Sequence, residues 1–151
     1  MRSVLVLAIS LGLMACTRAP APEAQVRALL AQAEHAATSK DVTALTALVS
    51  ERYKDDDGRD RQTLGRLLRV YFLRHDSIHL LTRIVSIRFP APDRAEVVIA
   101  AALAGTPFPS NASLDGIAAD IHRLDISLAR EGSDWRAMRV AWRSAQVSDL
   151  F

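Results

Sequence analysis

The hydrophobic periods of the chain predict an α+β protein, three helices followed by a four-stranded antiparallel meander. Three observations carry this. Apolar residues recur at helical spacing from Glu23 to about His75. From Ile78 onward they alternate instead, in runs rich in branched side chains. Two turn signals, Pro90-Ala91-Pro92-Asp93 and Glu131-Gly132-Ser133-Asp134, divide those runs.

The first helix is expected over residues 23–38, where Val26, Leu29, Leu30, Ala33 and Ala37 share a face. Asp41 can cap a second, shorter helix carrying Val42, Leu45, Leu48 and Val49. A turn at residues 53–58 leads to Asp60, a cap for a third helix whose Leu64, Leu67, Leu68, Tyr71 and Phe72 should face inward. The first strand, residues 78–89, loses its alternation near Ile84 and Val85, which predicts a bulge or burial on both faces. The second strand, residues 94–103, places Ala95, Val97, Ile99, Ala101 and Leu103 on one face. A loop over residues 105–116 precedes a third strand to Arg130, and the fourth runs from Trp135 to Ser144.

The length of 151 residues suits one domain, and half of the residues are hydrophobic, an ordinary globular balance. Basic and acidic side chains number 19 and 17 and are interspersed, with no Lys/Arg block. That pattern, with few aromatics for base stacking, argues against a nucleic-acid partner. Cys16 is the one cysteine, so no intramolecular disulfide can form.

The position of Cys16 supplies its explanation. Met1-Arg2-Ser3 is a short positive start, and residues 4–14 form an apolar run too short to span a bilayer. Leu13-Met14-Ala15-Cys16 then resembles the lipobox of bacterial lipoproteins. The resemblance implies cleavage before Cys16, diacylglycerol on its sulfur and an acylated amine, hence a membrane partner held through lipid. One acyl chain binds only marginally, whereas two or three anchor firmly. Thr17 stands where an Asp usually retains such proteins in the inner membrane, so the expected location is the outer membrane, facing the periplasm. The expected organisation is a leader over residues 1–15, a lipidated tether over 16–22, a domain over 23–144 and a tail over 145–151.

Within the domain, Lys40-Asp41-Val42 with Leu45 and Leu48, then Tyr53-Lys54-Asp55, then Gly132-Ser133-Asp134-Trp135 and Trp142 follow one order. This order is similar to that of the nuclear transport factor two-like superfamily, which includes ketosteroid isomerase-type enzymes. The resemblance implies a cone-like curved antiparallel sheet packed on three N-terminal helices and enclosing a cavity. It implies either a binding module for a small apolar ligand or an envelope protein, or an isomerase- or dehydratase-type enzyme, since one fold hosts many functions.

Several residues are candidates for such a site. Asp120 and His122 share the face of Leu124, Ile126 and Leu128, which puts a carboxylate and an imidazole toward a cavity mouth, where they could do acid–base work or simply be solvated. Tyr53 and Tyr71 could present hydroxyls to a ligand or pack with those hydroxyls in water. Trp142, in the alternation of Met138 and Val140, could be core or a ligand platform. The acidic run from Asp55 to Asp60 fails as a calcium loop, because position twelve is Arg66, and reads as a solvated turn. His75 and His79 straddle a helix end and do not make a metal pair. No cofactor or metal is implied.

Overall fold

The computed structural model describes residues 20–105, 107 and 120–145. The expected leader and tail, Cys16 with its expected lipid, and the start of the third expected strand lie outside the described residues. Helix α1 spans Pro22–Thr38, α2 Val42–Ala47 and α3 Arg61–Leu73. Strands β1 (His79–Ala91), β2 (Arg94–Ala104), β3 (Asp120–Glu131) and β4 (Asp134–Ser144) form one antiparallel sheet in sequential order. This is the α+β layout that the change of period predicts.

The helix starts follow from local chemistry. Pro22 opens α1, where its missing N–H costs nothing. The Asp41 carboxylate accepts from the Ala44 N–H at 2.8 Å, and that of Asp60 accepts from the Thr63 N–H at 2.8 Å. Each satisfies one of the donors that a helix start leaves open. Helix α2 ends before Val49, which instead bridges to Ala137.

Segment 48–54 runs along the free edge of β4. The Ala137 N–H donates to the Leu48 carbonyl, and the N–H groups of Ser50 and Lys54 donate to the carbonyls of Ala137 and Met138. An edge paired in this way no longer offers itself to another chain.

One face of the sheet packs on α1. Val26 and Leu30 of the helix join Ala95, Val97, Ile99, Ile126, Leu128, Trp135 and Ala137 in a single buried cluster. Fully burying an aliphatic side chain of this size contributes about 1.5–3 kcal/mol. Besides the shift between Arg88 and Ala91 beside the β1–β2 turn, two irregularities interrupt the pairing. One skips Val85 in the β1–β2 pairing, where the alternation of the sequence slips. The other sets Ala137, not Met138, opposite Leu128. The face of Val140 and Trp142 therefore continues through Ala137, a change that a strict alternation of β4 does not anticipate.

Helix α3 departs from its expected packing. Phe72 and Gly65 are its buried residues, whereas Leu67 is 43% and Tyr71 39% exposed. The reason is its neighbour. A Cβ at Gly65 would come within 3.2 Å of the Thr46 methyl, so α3 packs closely on α2 through a glycine and turns much of its apolar stripe outward. No described helix is long and apolar enough to cross a membrane.

Candidate functional site

Antiparallel register sorts the inner face of the sheet into rows, because paired residues point to the same side. Val97, Ile126 and Val140 form one row. The next is Ile84, Ile99, Leu124 and Trp142. Beyond it come Thr82, Ala101, His122 and Ser144. The Thr82 hydroxyl donates to the Glu34 carboxylate, which places the C-terminal half of α1 over this last row. The face is thus apolar at its centre and polar at one end.

Trp142 stands at the border of the two regions and is 46% exposed. The guanidinium of Arg59 lies over its ring, 5.4 Å from the centroid. Such a cation–π contact is favourable and fixes the ring's orientation. Arg59 is fixed in turn by Asp55. Its Nε donates to Asp55 Oδ2 at 2.6 Å, and its backbone N–H donates to Asp55 Oδ1 at 2.8 Å. Oδ1 also accepts from the Asp57 N–H at 3.0 Å, and Asp57 pairs with the same guanidinium. Gly58 closes this turn with φ +74, a conformation that favours glycine.

The turn is therefore not simply solvated, as its composition suggests. The Asp55 side chain is almost fully buried. Burial pushes its pKa up, but the Arg59 side chain and the backbone donors outweigh this and hold it below the ordinary value. The sequence signal that could have found this arrangement is the spacing Asp55-x-x-x-Arg59, which lets one side chain bond both backbone and guanidinium of the other.

Tyr53 is 0% exposed, and its hydroxyl makes no hydrogen bond. Burial, reinforced by the nearby Asp55 charge, raises its pKa to about 12. The Val140 backbone is near enough to soften that rise without meeting hydrogen-bond geometry. The hydroxyl reaches neither water nor a hydrogen-bond partner, and it lies close enough to Asp55 to feel its charge.

The other candidates are dispersed. His122 is half-buried, opposite Ala101 and Ser144, and its ring makes no hydrogen bond among the described residues. Asp120 begins β3 opposite Leu103, and its side chain lies outside the described residues. Tyr71 stacks on His75 at 4.2 Å between centroids, with the His75 Nδ1 2.8 Å from the Tyr71 carbonyl oxygen. The structure thus joins Trp142 to Tyr53 through Arg59 and Asp55, and it puts His122 one row away from Trp142. No group of three metal-ligating side chains occurs among the described residues. An open cleft of 660 Å³ near Gln25, Leu29, Arg130 and Trp135 lies at the opposite end of α1 from the His122 row.

No protein-family model matches the chain. No curated protein matches its sequence. Solved structures do match in three dimensions. A protein described as a scytalone dehydratase from Novosphingobium aromaticivorans aligns with TM-score 0.67 and 12% identity, covering 82% of this chain and 84% of that one. A variant chain named for nuclear transport factor two aligns with TM-score 0.61 and 12% identity, covering 80% and 98%. A Bdellovibrio bacteriovorus protein aligns with TM-score 0.64 and 11% identity over 81% of this chain, which spans 40% of that longer one. Identities this low speak for architecture alone. One open antiparallel sheet, helices N-terminal to it and these neighbours together give the conclusion that the chain has the nuclear transport factor two-like α+β cone fold.

Proposed function

We propose that this chain is a binding module that takes a small, largely apolar molecule against the inner face of its sheet. We also propose that lipid on Cys16 holds it at the periplasmic side of the outer membrane. The observation that carries the binding reading is Trp142, a half-exposed aromatic at the end of an apolar row. Exposing so large a ring on a concave face is costly unless something covers it. The cation above the ring is already paired with Asp55 and Asp57, so the wall favours an uncharged guest.

The reading is tested with a neutral apolar fluorophore, N-phenylnaphthylamine, titrated into the purified protein. Binding in the micromolar range that weakens at least tenfold in Trp142→Ala is expected. Unchanged affinity in that variant overturns the site. The anchor is tested by Cys16→Ser, which should abolish incorporation of a fatty-acid analogue and leave unprocessed precursor. Equal labelling of variant and wild type overturns it.

A second reading, a small-molecule enzyme of isomerase or dehydratase type, draws on His122. A half-buried imidazole one row from Trp142, with Asp120 two residues earlier in the same strand, could move a proton on a bound guest. Under this reading His122→Ala retains fluorophore binding but abolishes turnover. Loss of both together returns His122 to the binding wall.

A further inference from the structure

The two ends of the domain differ in what they expose, and one of them is bound to the start of α1 by a continuous chain of contacts. The β1–β2 hairpin ends in Phe89, 38% exposed near the end of β1, followed by exposed Pro90 and, in the turn itself, exposed Pro92. Exposed Arg88 and Arg94 flank these residues on either side, and the one acidic residue between them is the exposed Asp93. The Phe89 ring meets Trp135 edge-on, 5.8 Å between centroids, and the Arg130 guanidinium lies 5.7 Å from the centroid of the same indole. The Arg130 backbone N–H donates to the Asp93 carbonyl at 2.9 Å. Its Nη2 donates to Gln25 Oε1 at 2.8 Å, and Gln25 Nε2 donates to the Pro20 carbonyl at 2.6 Å. The exposed turn and Pro20 therefore belong to one rigid end of the molecule.

Pro20 is four residues from Cys16. Four residues reach at most about 14 Å even when fully extended. If Cys16 carries lipid, as proposed above, this end of the domain cannot leave the membrane surface. The opposite end lies far from it. Helix α1 has 17 residues, which corresponds to a length of about 25 Å. Just past its C-terminus, Lys40 Nζ donates to the carbonyls of His75 and Asp76, both at 2.9 Å.

We infer that the β1–β2 turn is a second, non-covalent contact with the bilayer, with Phe89 and the two prolines in the headgroup region and Arg88 and Arg94 against lipid phosphates. An exposed aromatic flanked by arginines is the side-chain pattern of interfacial segments. Each basic residue near an anionic surface adds to the attraction. The contact directs the row of Thr82, Ala101, His122 and Ser144 away from the membrane, so the polar end of the inner face opens toward the periplasm.

Lipidated full-length protein in vesicles of phosphatidylethanolamine and phosphatidylglycerol tests this. Because Cys16 is the one native cysteine and its sulfur would carry lipid, a bimane label reports only an introduced site. Pro92→Cys places it in the turn and Asp76→Cys at the far end. Spin-labelled lipid should quench the label at position 92 several-fold more than at 76, and aqueous iodide should show the reverse order. Equal quenching at both positions, or stronger lipid quenching at 76, overturns the inference while the vesicles still carry the protein. A label at 92 shielded from iodide but unquenched by lipid would mean that a protein covers this end, which also overturns it. Wild-type protein that fails to float with the vesicles removes the anchor, and the membrane contact with it.

Discussion

A buried hydroxyl without a partner makes Tyr53 the residue whose removal is most informative. Such a group forfeits its hydration and gains nothing in exchange. Tyr53→Phe keeps the packed ring and deletes the orphaned oxygen. The variant should therefore be as stable as wild type or more stable by up to about 1 kcal/mol in urea unfolding. A loss of more than about 1 kcal/mol would reveal a hydrogen bond that the geometry lacks. The same burial sets the titration. In Tyr71→Phe, which leaves Tyr53 as the one tyrosine, phenolate absorbance should rise with a midpoint near 12 rather than the ordinary 10.0. Since the folded value is the higher one, its contribution to stability is complete below about pH 10 and disappears as pH climbs toward 12.

Strand β3 brings core and candidate site onto one face of one element. Ile126 is buried in the main cluster, whereas His122 is half-buried with no hydrogen bond from its ring among the described residues. Ile126→Ala should cost about 2–5 kcal/mol, because it removes packed methyl groups and leaves a cavity. His122→Ala should stay within about 0.5 kcal/mol of wild type, the usual range for a side chain outside packed or buried polar networks. Denaturant melts of both variants measure the difference. Equal losses would assign His122 to structural packing and remove it from any site. This strand was legible because its apolar residues alternate without interruption. Helix α3 was not, because a periodic stripe says which residues share a face but not which neighbour that face meets. Gly65 decided the neighbour, and it is silent in a count of apolar positions.

At the scale of the whole molecule, four carboxylates among the described residues respond to folding in the same direction. Asp55, Asp60, Asp125 and Glu131 all have pKa values below their ordinary ones. Burial works against Asp55, but Arg59 overcomes it. Asp60 is held by the Thr63 backbone, Asp125 by Arg123, and Glu131 by Arg52 and Ser50. A depressed folded value contributes stability that is present above the unfolded pKa, about 4, and is lost as pH falls through the folded one. The urea midpoint should hold from pH 7 to about 5 and fall steeply below about 4, with a shallower acid limb in Asp55→Asn. A midpoint that does not change between pH 5 and 2.5 would show that these ion pairs are screened in solution.

The sequence by itself determined the fold class, the element order and both aspartate helix caps, because each rests on local chemistry or on a period that repeats within one element. Near Ile84 and Val85 it left a bulge and two-sided burial both open, and the register of β1 on β2 decided for the bulge. The sequence also raised the expectation of lipid on Cys16, which depends on a short linear motif. Only the tertiary structure joined Tyr53, Asp55, Arg59 and Trp142, residues separated by up to 89 positions. It alone showed Asp55 buried where its composition reads as solvated, and Trp142 half-exposed where its alternation allows core. The physical reason is common to both. Exposure and pairing depend on what packs against a residue from elsewhere in the chain, here a six-residue turn folded back against β4.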